Sequence, residues 1–332
     1  VLRPRGGRPR RPSPPGGVAI PPLPRAAMPP LQTILCALDF ERDSEVAAVL
    51  AADLAERVHA ALHLVHVDPV DHSEVEAAAG SPLDRAYTHR LAVAVDTALG
   101  AEGAFDLLGP TVHVVHGQAP ADAVVRSAAT LGADVVVVGT HAEGGLARVI
   151  AGSTASEVVR RSPVPVLVVP EASEHGPGPD RPVLVAVDFS ELTVPALEHA
   201  ATLAATYGAS VEPVHVLEGG PEARLDLGGL LTLGDLHTGP HEGTRARATR
   251  ALRQLAHAAG LDPEAVHIVT GAPDAAIARL AAARGAGAVV MGTHGRTGWD
   301  RVRLGSVAEW VVRHAPCPVL TVPLARGAAA GR

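Results

Sequence analysis

The sequence predicts two tandem α/β domains, each a five-stranded parallel sheet with helices on both faces. Short apolar runs of strand length alternate with helical stretches of ten or more residues, a pattern typical of parallel α/β sheets. The pattern occurs twice along 332 residues, which is long enough for two domains of ordinary size. A polar segment rich in Pro and Gly at 171–181 separates the two copies and is the predicted linker.

The first copy is predicted to span residues 31–170. The apolar run 33–39 predicts a buried strand that ends in the carboxylate Asp39. Asp43 and Ser44 can cap the helix that follows, in which apolar residues keep helical spacing. The remaining strands of this copy are predicted at 62–67, 111–115, 134–138 and 164–169, and its remaining helices at 83–99, 119–131 and 153–161.

The second copy is predicted to span residues 182–324. It repeats the first strand with its terminal carboxylate at 183–188, and its first helix is predicted to begin near Pro195, because proline is tolerated at the first helical position. The segment 218–243 is longer and richer in glycine than its counterpart, which predicts a mobile loop near the mouth of the site. Three further strands of this copy are predicted at 213–217, 266–270 and 319–322.

Two terminal tails flank the predicted domains. Residues 1–30 are rich in Arg, Pro and Gly, and residues 325–332 are small and polar. We expect the N-terminal tail to be disordered and dispensable, because it lacks an apolar pattern to bury.

The stretch 289–323 predicts a strand, a glycine loop, a helix and a second strand. Gly292 and Gly295 let the backbone approach a ligand without an intervening Cβ. Gly305 and Ser306 stand where a helix begins, so free N–H groups and the positive end of the helix dipole face outward. A phosphate group is the natural occupant of such a place.

The same stretch occurs in both copies. Residues 139–170 and 292–323 align without a gap, and the shared positions include Gly139, Thr140, His141, Gly145, Arg148, Gly152, Ser153, Pro163, Pro165 and Pro170, which recur as Gly292, Thr293, His294, Gly298, Arg301, Gly305, Ser306, Pro316, Pro318 and Pro323. The chain is therefore predicted to contain two copies of one domain.

The motif GTHGRTG at 292–298, followed by LGSVAEWVVRHAPCPVLTV, resembles the C-terminal signature of the universal stress protein family in its nucleotide-binding branch. The resemblance covers almost the whole chain and implies Rossmann-like domains of the adenine-nucleotide alpha hydrolase-like kind. It also implies that ATP, with or without Mg²⁺, is bound. The implied ligand contacts in the second copy are Asp188 near base and ribose, Val216 beside the adenine, Met291 and Gly292 under ribose and phosphates, His294 and Gly295 along the phosphates, and Gly305, Ser306 and Val307 around the terminal ones.

The first copy departs from this pattern in its glycine loop. Ala142 stands where the second copy has Gly295, and Glu143 stands where it has Arg296. A methyl group at a point of close approach and an acidic side chain both oppose phosphate, so the first site is predicted to be weaker. The matching positions that remain in the first copy are Asp39, Gly139, His141, Gly152 and Ser153.

Composition argues against several classes of protein. A net charge of −7 argues against a nucleic-acid binder with a broad basic face. No uninterrupted apolar segment reaches the ~20 residues that span a bilayer, so no membrane partner is predicted. Cys36 and Cys317 do not form a disulfide framework and fit a reducing compartment, which predicts a cytoplasmic protein.

Neither a metal centre nor a catalytic set is predicted. The histidine pairs within single strands, His63 with His66 and His113 with His116, have a spacing of three that sends them to opposite faces. The glycine loop has no Lys and is not a P-loop. We therefore expect an ATP-binding regulatory or stress-response protein with no catalytic residues. Two alternatives remain open: a slow ATPase or phosphotransferase that uses Mg²⁺, and a nucleotide-free dimerisation module that binds partners.

The last strand of each copy, at 164–169 and 319–322, is apolar and would be an exposed edge of its sheet unless another strand pairs with it. In the universal stress protein family this edge pairs with its counterpart. The predicted partners are therefore an adenine nucleotide and the other half of the same chain, or a second chain in a homodimer.

Overall fold

Two five-stranded halves form one continuous ten-stranded sheet in the computed structural model of the protein. The structure describes residues 31–39, 42–68, 82–99, 103, 105–106, 109–140, 153–173, 176–218, 243–294 and 304–324. The two predicted tails and most of the predicted 218–243 loop lie outside the described residues.

The first half contains five strands and four helices among the described residues. Its strands are β1 (Thr33–Leu38), β2 (Ala61–Asp68), β3 (Thr111–His116), β4 (Val135–Thr140) and β5 (Val166–Pro170). Its helices are α1 (Arg42–Val58), α2 (Pro82–Leu99), α3 (Pro120–Leu131) and α4 (Ser153–Arg161).

The second half repeats this order in the part of the chain that is described. Its strands are β6 (Val183–Ala186), β7 (Val211–Leu217), β8 (His267–Thr270), β9 (Ala288–Gly292) and β10 (Val319–Val322). Its helices are α5 (Thr193–Tyr207), α6 (Thr244–Ala258), α7 (Pro273–Arg284) and α8 (Ser306–His314). The predicted α/β class and the five strands in each half are confirmed.

Several element boundaries differ from the sequence prediction by one or two residues, and two of these lie near the predicted sites. Strand β4 continues through Gly139, which pairs with Val169, so Gly139 lies inside the strand and does not open the loop. Helix α5 begins at Thr193, two residues before Pro195. Proline is tolerated there because the first amides of a helix have no intrahelical acceptor to lose.

The strand order is β3-β2-β1-β4-β5-β10-β9-β6-β7-β8. All neighbours are parallel except β5 and β10, which run antiparallel and join the two halves. In each half the chain order reverses beside the first strand, between β1 and β4 and again between β6 and β9. In a sheet of this kind a ligand binds at such a reversal, beyond the carboxyl ends of the strands.

Helices cover both faces of the sheet and bury two apolar layers. Alternation along β6 sends Val183 and Val185 into the layer under α1, α5 and α6, and Leu184 into the layer under α3, α4, α7 and α8. Aromatic residues make up only 2% of the chain, so Val, Leu, Ile and Ala fill both layers.

The junction between the halves is mainly apolar where the closing strands pair. Leu320 pairs with Leu167 across the antiparallel strands, and the buried Thr321 donates its hydroxyl to the carbonyl oxygen of Val166 over 3.1 Å. Away from the strands, the Arg57 guanidinium of α1 lies 4.7 Å from the centre of the Tyr207 ring of α5. The predicted pairing of the two closing strands is present in the structure.

Part of the linker packs against both halves. A Cβ at Gly176 would lie 2.8 Å from Leu50 of α1, and a Cβ at Gly287 would lie 2.4 Å from the Pro177 backbone. Gly287 must be glycine for the linker backbone to approach so closely, whereas a side chain at Gly176 would require only the end of Leu50 to move. No helix in the described ranges is both long and apolar enough to span a bilayer.

Candidate nucleotide site

The carboxyl ends of β6 and β9 place the two parts of the predicted C-terminal site at one edge of the sheet. Val185 pairs with Val290 in parallel register, so Asp188 and Thr293 each lie three residues beyond a paired position. Strand β7 flanks the same point, where the Val187 N–H donates to the Val214 carbonyl oxygen over 2.8 Å. Asp188 and the start of the glycine loop therefore emerge side by side at the reversal of chain order.

Asp188 is held by a local turn. One of its carboxylate oxygens accepts hydrogen bonds from the Ser190 N–H at 2.9 Å and from the Thr193 hydroxyl at 3.4 Å. This arrangement fixes the turn before α5 and orients the half-buried carboxylate. Asp188 is therefore part of the turn that leads into α5, and it is also a candidate ligand contact.

The rings of Phe189 and His215 pack together next to the turn that contains Asp188. Phe189 has a positive φ of 61°, which is unusual for a bulky residue, and its side chain is fully buried. Its ring lies 4.9 Å from that of His215, whose Nδ1 hydrogen-bonds the Val187 carbonyl oxygen over 2.7 Å. The same bond recurs in the first half, between His66 Nδ1 and the Leu38 carbonyl oxygen at 2.9 Å.

Gly292, at the end of β9, is enclosed by the same turn. A Cβ at this position would lie 2.7 Å from Leu192 Cβ and 2.8 Å from Leu192 Cδ1. The glycine thus lets the Asp188–Thr193 turn pack directly on the strand end. Gly292 is therefore needed for packing against Leu192, in addition to the ligand contact that was predicted for it.

The two ends of the glycine loop are tied together. Thr293 donates its N–H to Val322 over 3.0 Å, and its own carbonyl oxygen accepts the Gly305 N–H over 2.8 Å. Helix α8 then begins, with the Glu309 N–H donating to the Gly305 carbonyl oxygen over 2.9 Å. Gly305 has φ −64° and ψ 142°, a conformation open to any residue, and no side chain caps the helix.

The uncapped start of α8 carries the positive end of the helix dipole. The first amides of a helix, here those that follow Gly305, have no intrahelical acceptor. Together with the dipole they favour an anion at this point. Ser306 is exposed and Val307 is half-buried, so these amides lie near solvent.

His294 follows Thr293 at the mouth of the same loop. Its Nδ1 lies 2.9 Å from the Thr293 hydroxyl oxygen, and its Nε2 is buried with no hydrogen-bond partner among the described residues. A buried ring nitrogen without a partner is unfavourable, so a group that pairs with Nε2 would be stabilised here.

An apolar wall adjoins these polar groups. Met291 is buried, and Val216 of β7 and Val307 of α8 pack against the same apolar layer. The structure thus brings to one edge of the sheet the residues predicted for the second copy that it describes, namely Asp188, Val216, Met291, Gly292, His294, Gly305, Ser306 and Val307. Gly295 lies outside the described residues.

The first half is only partly described at its corresponding edge. Asp39 follows β1 and donates its N–H to the Ser44 hydroxyl oxygen over 3.4 Å. Gly139 lies near the end of β4, and Ser153 is the first residue of α4. His141 and Gly152 lie outside the described residues, as do Ala142 and Glu143.

Sequence reasoning missed three residues that shape the C-terminal site. These are Phe189, Leu192 and His215. A signal for two of them was available: Phe40 and Phe189 each follow the terminal carboxylate, and His66 and His215 recur at the same distance from it. The packing of Leu192 on Gly292 has no such signal, because it depends on the path of the turn.

Comparisons with known proteins agree with this architecture. The model of the universal stress protein family matches residues 30–170 and again residues 181–323. A universal stress protein E homolog of Haemophilus influenzae is 28% identical over 218 residues, covering 63% of this chain and 68% of its own. Universal stress protein A homolog 1 of Coxiella burnetii is 31% identical over 140 residues, covering 42% of this chain and 94% of its own.

A solved structure supports the fold over nearly the full length. The crystal structure of a universal stress protein from Archaeoglobus fulgidus superposes with a TM-score of 0.57 at 19% identity, covering 88% of this chain and 96% of its own. Because the family model matches both halves and together these cover most of the chain, this protein belongs to the universal stress protein family, in tandem two-domain form.

Proposed function

We propose that this protein binds an adenine nucleotide, ATP, in its C-terminal half and acts as a regulatory or stress-response protein. The observation that carries the proposal is the closure of the glycine loop by the Thr293–Gly305 hydrogen bond. It places an uncapped helix start beside the end of β9, and the neighbouring strand β6 ends next to Asp188. An acceptor for ribose hydroxyls and a cluster of donors for phosphate thus lie at one edge of the sheet.

Each part of the proposed site suits one part of the nucleotide. The Asp188 carboxylate can accept a hydrogen bond from a ribose hydroxyl, while Val216 and Met291 offer apolar surface to the base. The phosphates would extend along His294 and Gly295 toward the first amides of α8 at Ser306 and Val307. Any Mg²⁺ would be held mainly by the phosphates themselves.

Binding without rapid turnover fits the residues described at this edge. His294 Nδ1 is engaged with the Thr293 hydroxyl, and one Asp188 oxygen is engaged in its turn. At most weak hydrolysis is expected, and a regulatory role does not require it. Both cysteines are free and buried, which is compatible with a cytoplasmic protein.

Tryptophan fluorescence offers a test that reports on the C-terminal half alone. Both tryptophans of the chain, Trp299 and Trp310, lie between the start of the glycine loop and the end of α8. Titration with ATP should change their emission in a saturable way, and orthophosphate at the same concentrations should not. An unchanged signal, with no nucleotide found by mass spectrometry of the denatured, freshly purified protein, would refute the proposal.

Two further measurements separate the remaining alternatives. Phosphate release from ATP above background, abolished by Asp188→Ala, would favour a slow ATPase over a binding protein. Absence of any nucleotide signal together with a stable chain would favour a nucleotide-free module that binds partners.

A further inference from the structure

A histidine pair joins β2 and β3 on the first half of the sheet. His63 Nδ1 lies 3.0 Å from His113 Nε2, and the two ring centres are 5.2 Å apart with the planes tilted by 37°. The spacing of histidines within single strands hides this pair, because the partners come from neighbouring strands fifty residues apart. Both side chains are partly exposed.

The matching place in the second half holds a closed ion-pair cluster. Val65 of β2 pairs with His113, and Val214 of β7 pairs with His267, so His113 and His267 are equivalent. His63 and Glu212 are also equivalent, because each lies two residues before the paired valine. The Glu212 carboxylate accepts hydrogen bonds from His267 at 2.7 Å and from Arg284 at 2.6 Å. All the oxygens of that cluster are therefore already engaged.

The first half lacks the arginine of this cluster. Arg284 is the last residue of α7, directly before the left-handed Gly285, and Leu131 holds the same place before the left-handed Gly132 in α3. No guanidinium thus takes the position beside the histidine pair that Arg284 takes beside Glu212. A cation bound between His63 and His113 would therefore not be repelled by an arginine at the position of Leu131.

The separation of the two nitrogens suits a shared metal ion. Imidazole nitrogen binds first-row metals at about 2.0–2.1 Å, and two such bonds to atoms 3.0 Å apart enclose an angle of about 94°. That angle fits neighbouring positions of a square-planar or octahedral ion, whereas a tetrahedral ion would need about 3.4 Å between the nitrogens.

We propose that His63 Nδ1 and His113 Nε2 together bind one divalent metal ion that favours imidazole nitrogen and right-angled geometry, Cu²⁺ or Ni²⁺. The proposal commits to these two imidazole nitrogens as protein ligands, and the remaining positions of the ion are open to water. In the neutral pair one ring nitrogen donates its proton to the other. Binding moves the bridging proton to the outer nitrogen of the ring that carries it, Nε2 of His63 or Nδ1 of His113, so that both facing nitrogens present lone pairs to the metal and no net proton is released.

Calorimetric titration of the nucleotide-free full chain with Cu²⁺ tests this proposal. Wild-type protein should show one strongest site, and His63→Gln or His113→Gln should weaken it at least tenfold. His267→Gln is the matched control, because it removes the equivalent histidine of the second half, and it should leave the strongest site unchanged. Equal isotherms for wild type and His113→Gln, or an equal loss in His267→Gln, would overturn the proposal.

Electron paramagnetic resonance of wild-type protein with one equivalent of Cu²⁺ provides a test that needs no variant. The spectrum should show nitrogen hyperfine coupling from two imidazoles, and coupling from one or none would overturn the proposal. Thermal melting followed by circular dichroism, in the presence of a chelator, identifies variants that fail to fold. If a variant fails to fold, the copper spectrum of the wild-type protein alone tests the proposal.

Discussion

The Gly305 N–H donates to the Thr293 carbonyl oxygen over 2.8 Å, which joins the start of α8 to the end of β9. Thr293 is itself fixed by its N–H bond to Val322 of β10. The start of α8 is therefore positioned by hydrogen bonds that connect it to the ends of β9 and β10, and not by the intervening loop. A ligand that reaches the first amides of α8 meets donors that are already in place.

Replacing Gly305 by leucine should weaken ATP binding tenfold or more. The glycine has an ordinary φ of −64°, so the backbone accepts leucine without strain, and the new side chain obstructs the approach of phosphate to the first amides. Loss of a charge-assisted hydrogen bond amounts to about 1.5–3 kcal/mol, which corresponds to at least a tenfold change in affinity. Isothermal titration with ATP measures the loss.

Gly152→Leu is the matched variant in the first half. Because Ala142 and Glu143 replace Gly295 and Arg296 there, this variant should change ATP affinity much less. Equal losses in the two variants would indicate two equivalent sites. A larger loss at Gly152 would reverse the assignment of the ligand to the C-terminal half.

His215→Leu should lower both stability and ATP affinity. The substitution removes the donor to the Val187 carbonyl oxygen and the ring that packs on Phe189, both directly beneath Asp188. A buried acceptor left without its partner lowers the free energy of unfolding by about 1–3 kcal/mol. Urea unfolding and tryptophan fluorescence titration with ATP measure the two effects.

His66→Leu separates a general loss of stability from a positioning role. It removes the equivalent bond to the Leu38 carbonyl oxygen in the first half and should destabilise the chain to a similar degree. ATP affinity at the C-terminal site should stay near that of wild type. If both variants lose affinity alike, His215 does not act through Asp188.

The regular part of this fold could be predicted from the sequence because it is encoded by short local patterns. The apolar runs that form β1 and β6 end in Asp39 and Asp188, and the repeat shows that both belong to the same kind of domain. Likewise, Gly305 and Ser306 indicate a helix start without any knowledge of the neighbouring strands.

The remaining features depend on contacts between distant segments. The His63–His113 pair forms only because β2 and β3 are neighbours in a particular register, which spacing along one strand does not reveal. Phe189 adopts a positive φ that its residue type disfavours, since burial against His215 compensates for the strain. Gly292 has a packing partner, Leu192, that a reading of the motif alone does not supply.

Glu212→Gln should lower the free energy of unfolding near neutral pH. In acid, the difference from wild type should disappear. Burial raises the pKa of Glu212, but hydrogen bonds and charge from Arg284 and His267 outweigh it and hold the pKa below its ordinary value of 4.5. A lowered folded-state pKa contributes stability that is present above about pH 4.5 and is lost as pH falls through the folded value. Because Arg284 is half-exposed, we expect a difference of about 1–2 kcal/mol at pH 7.

Urea unfolding of wild type and Glu212→Gln between pH 7 and pH 3 measures this difference. The two unfolding free energies should converge toward the acid end of the range. Glu264→Gln is the control, since its partner Arg253 and Glu264 are both exposed, and it should differ little from wild type at any pH. A gap that stays constant down to pH 3 would show that charge on Glu212 is not its source.

The C-terminal half expressed alone, residues 182–324, should self-associate. Strand β10 pairs antiparallel with β5 in the full chain, and its removal from that partner leaves an unpaired edge with the buried Leu320 and Thr321 exposed. Since β5 and β10 are the equivalent closing strands of two copies of one domain, a second β10 can take the place of β5 about a twofold axis.

Light scattering of the isolated half should therefore give the mass of a dimer, and Leu320→Arg should shift it toward the monomer. The same substitution in the full chain places a charge in the apolar layer shared by both halves and should lower its unfolding free energy. Val93→Arg, at an exposed site on α2, serves in the full chain as the control for an added charge and should have little effect. A C-terminal half that stays monomeric at high concentration would show that the β5–β10 pairing depends on the linker and not on the complementarity of the two edges.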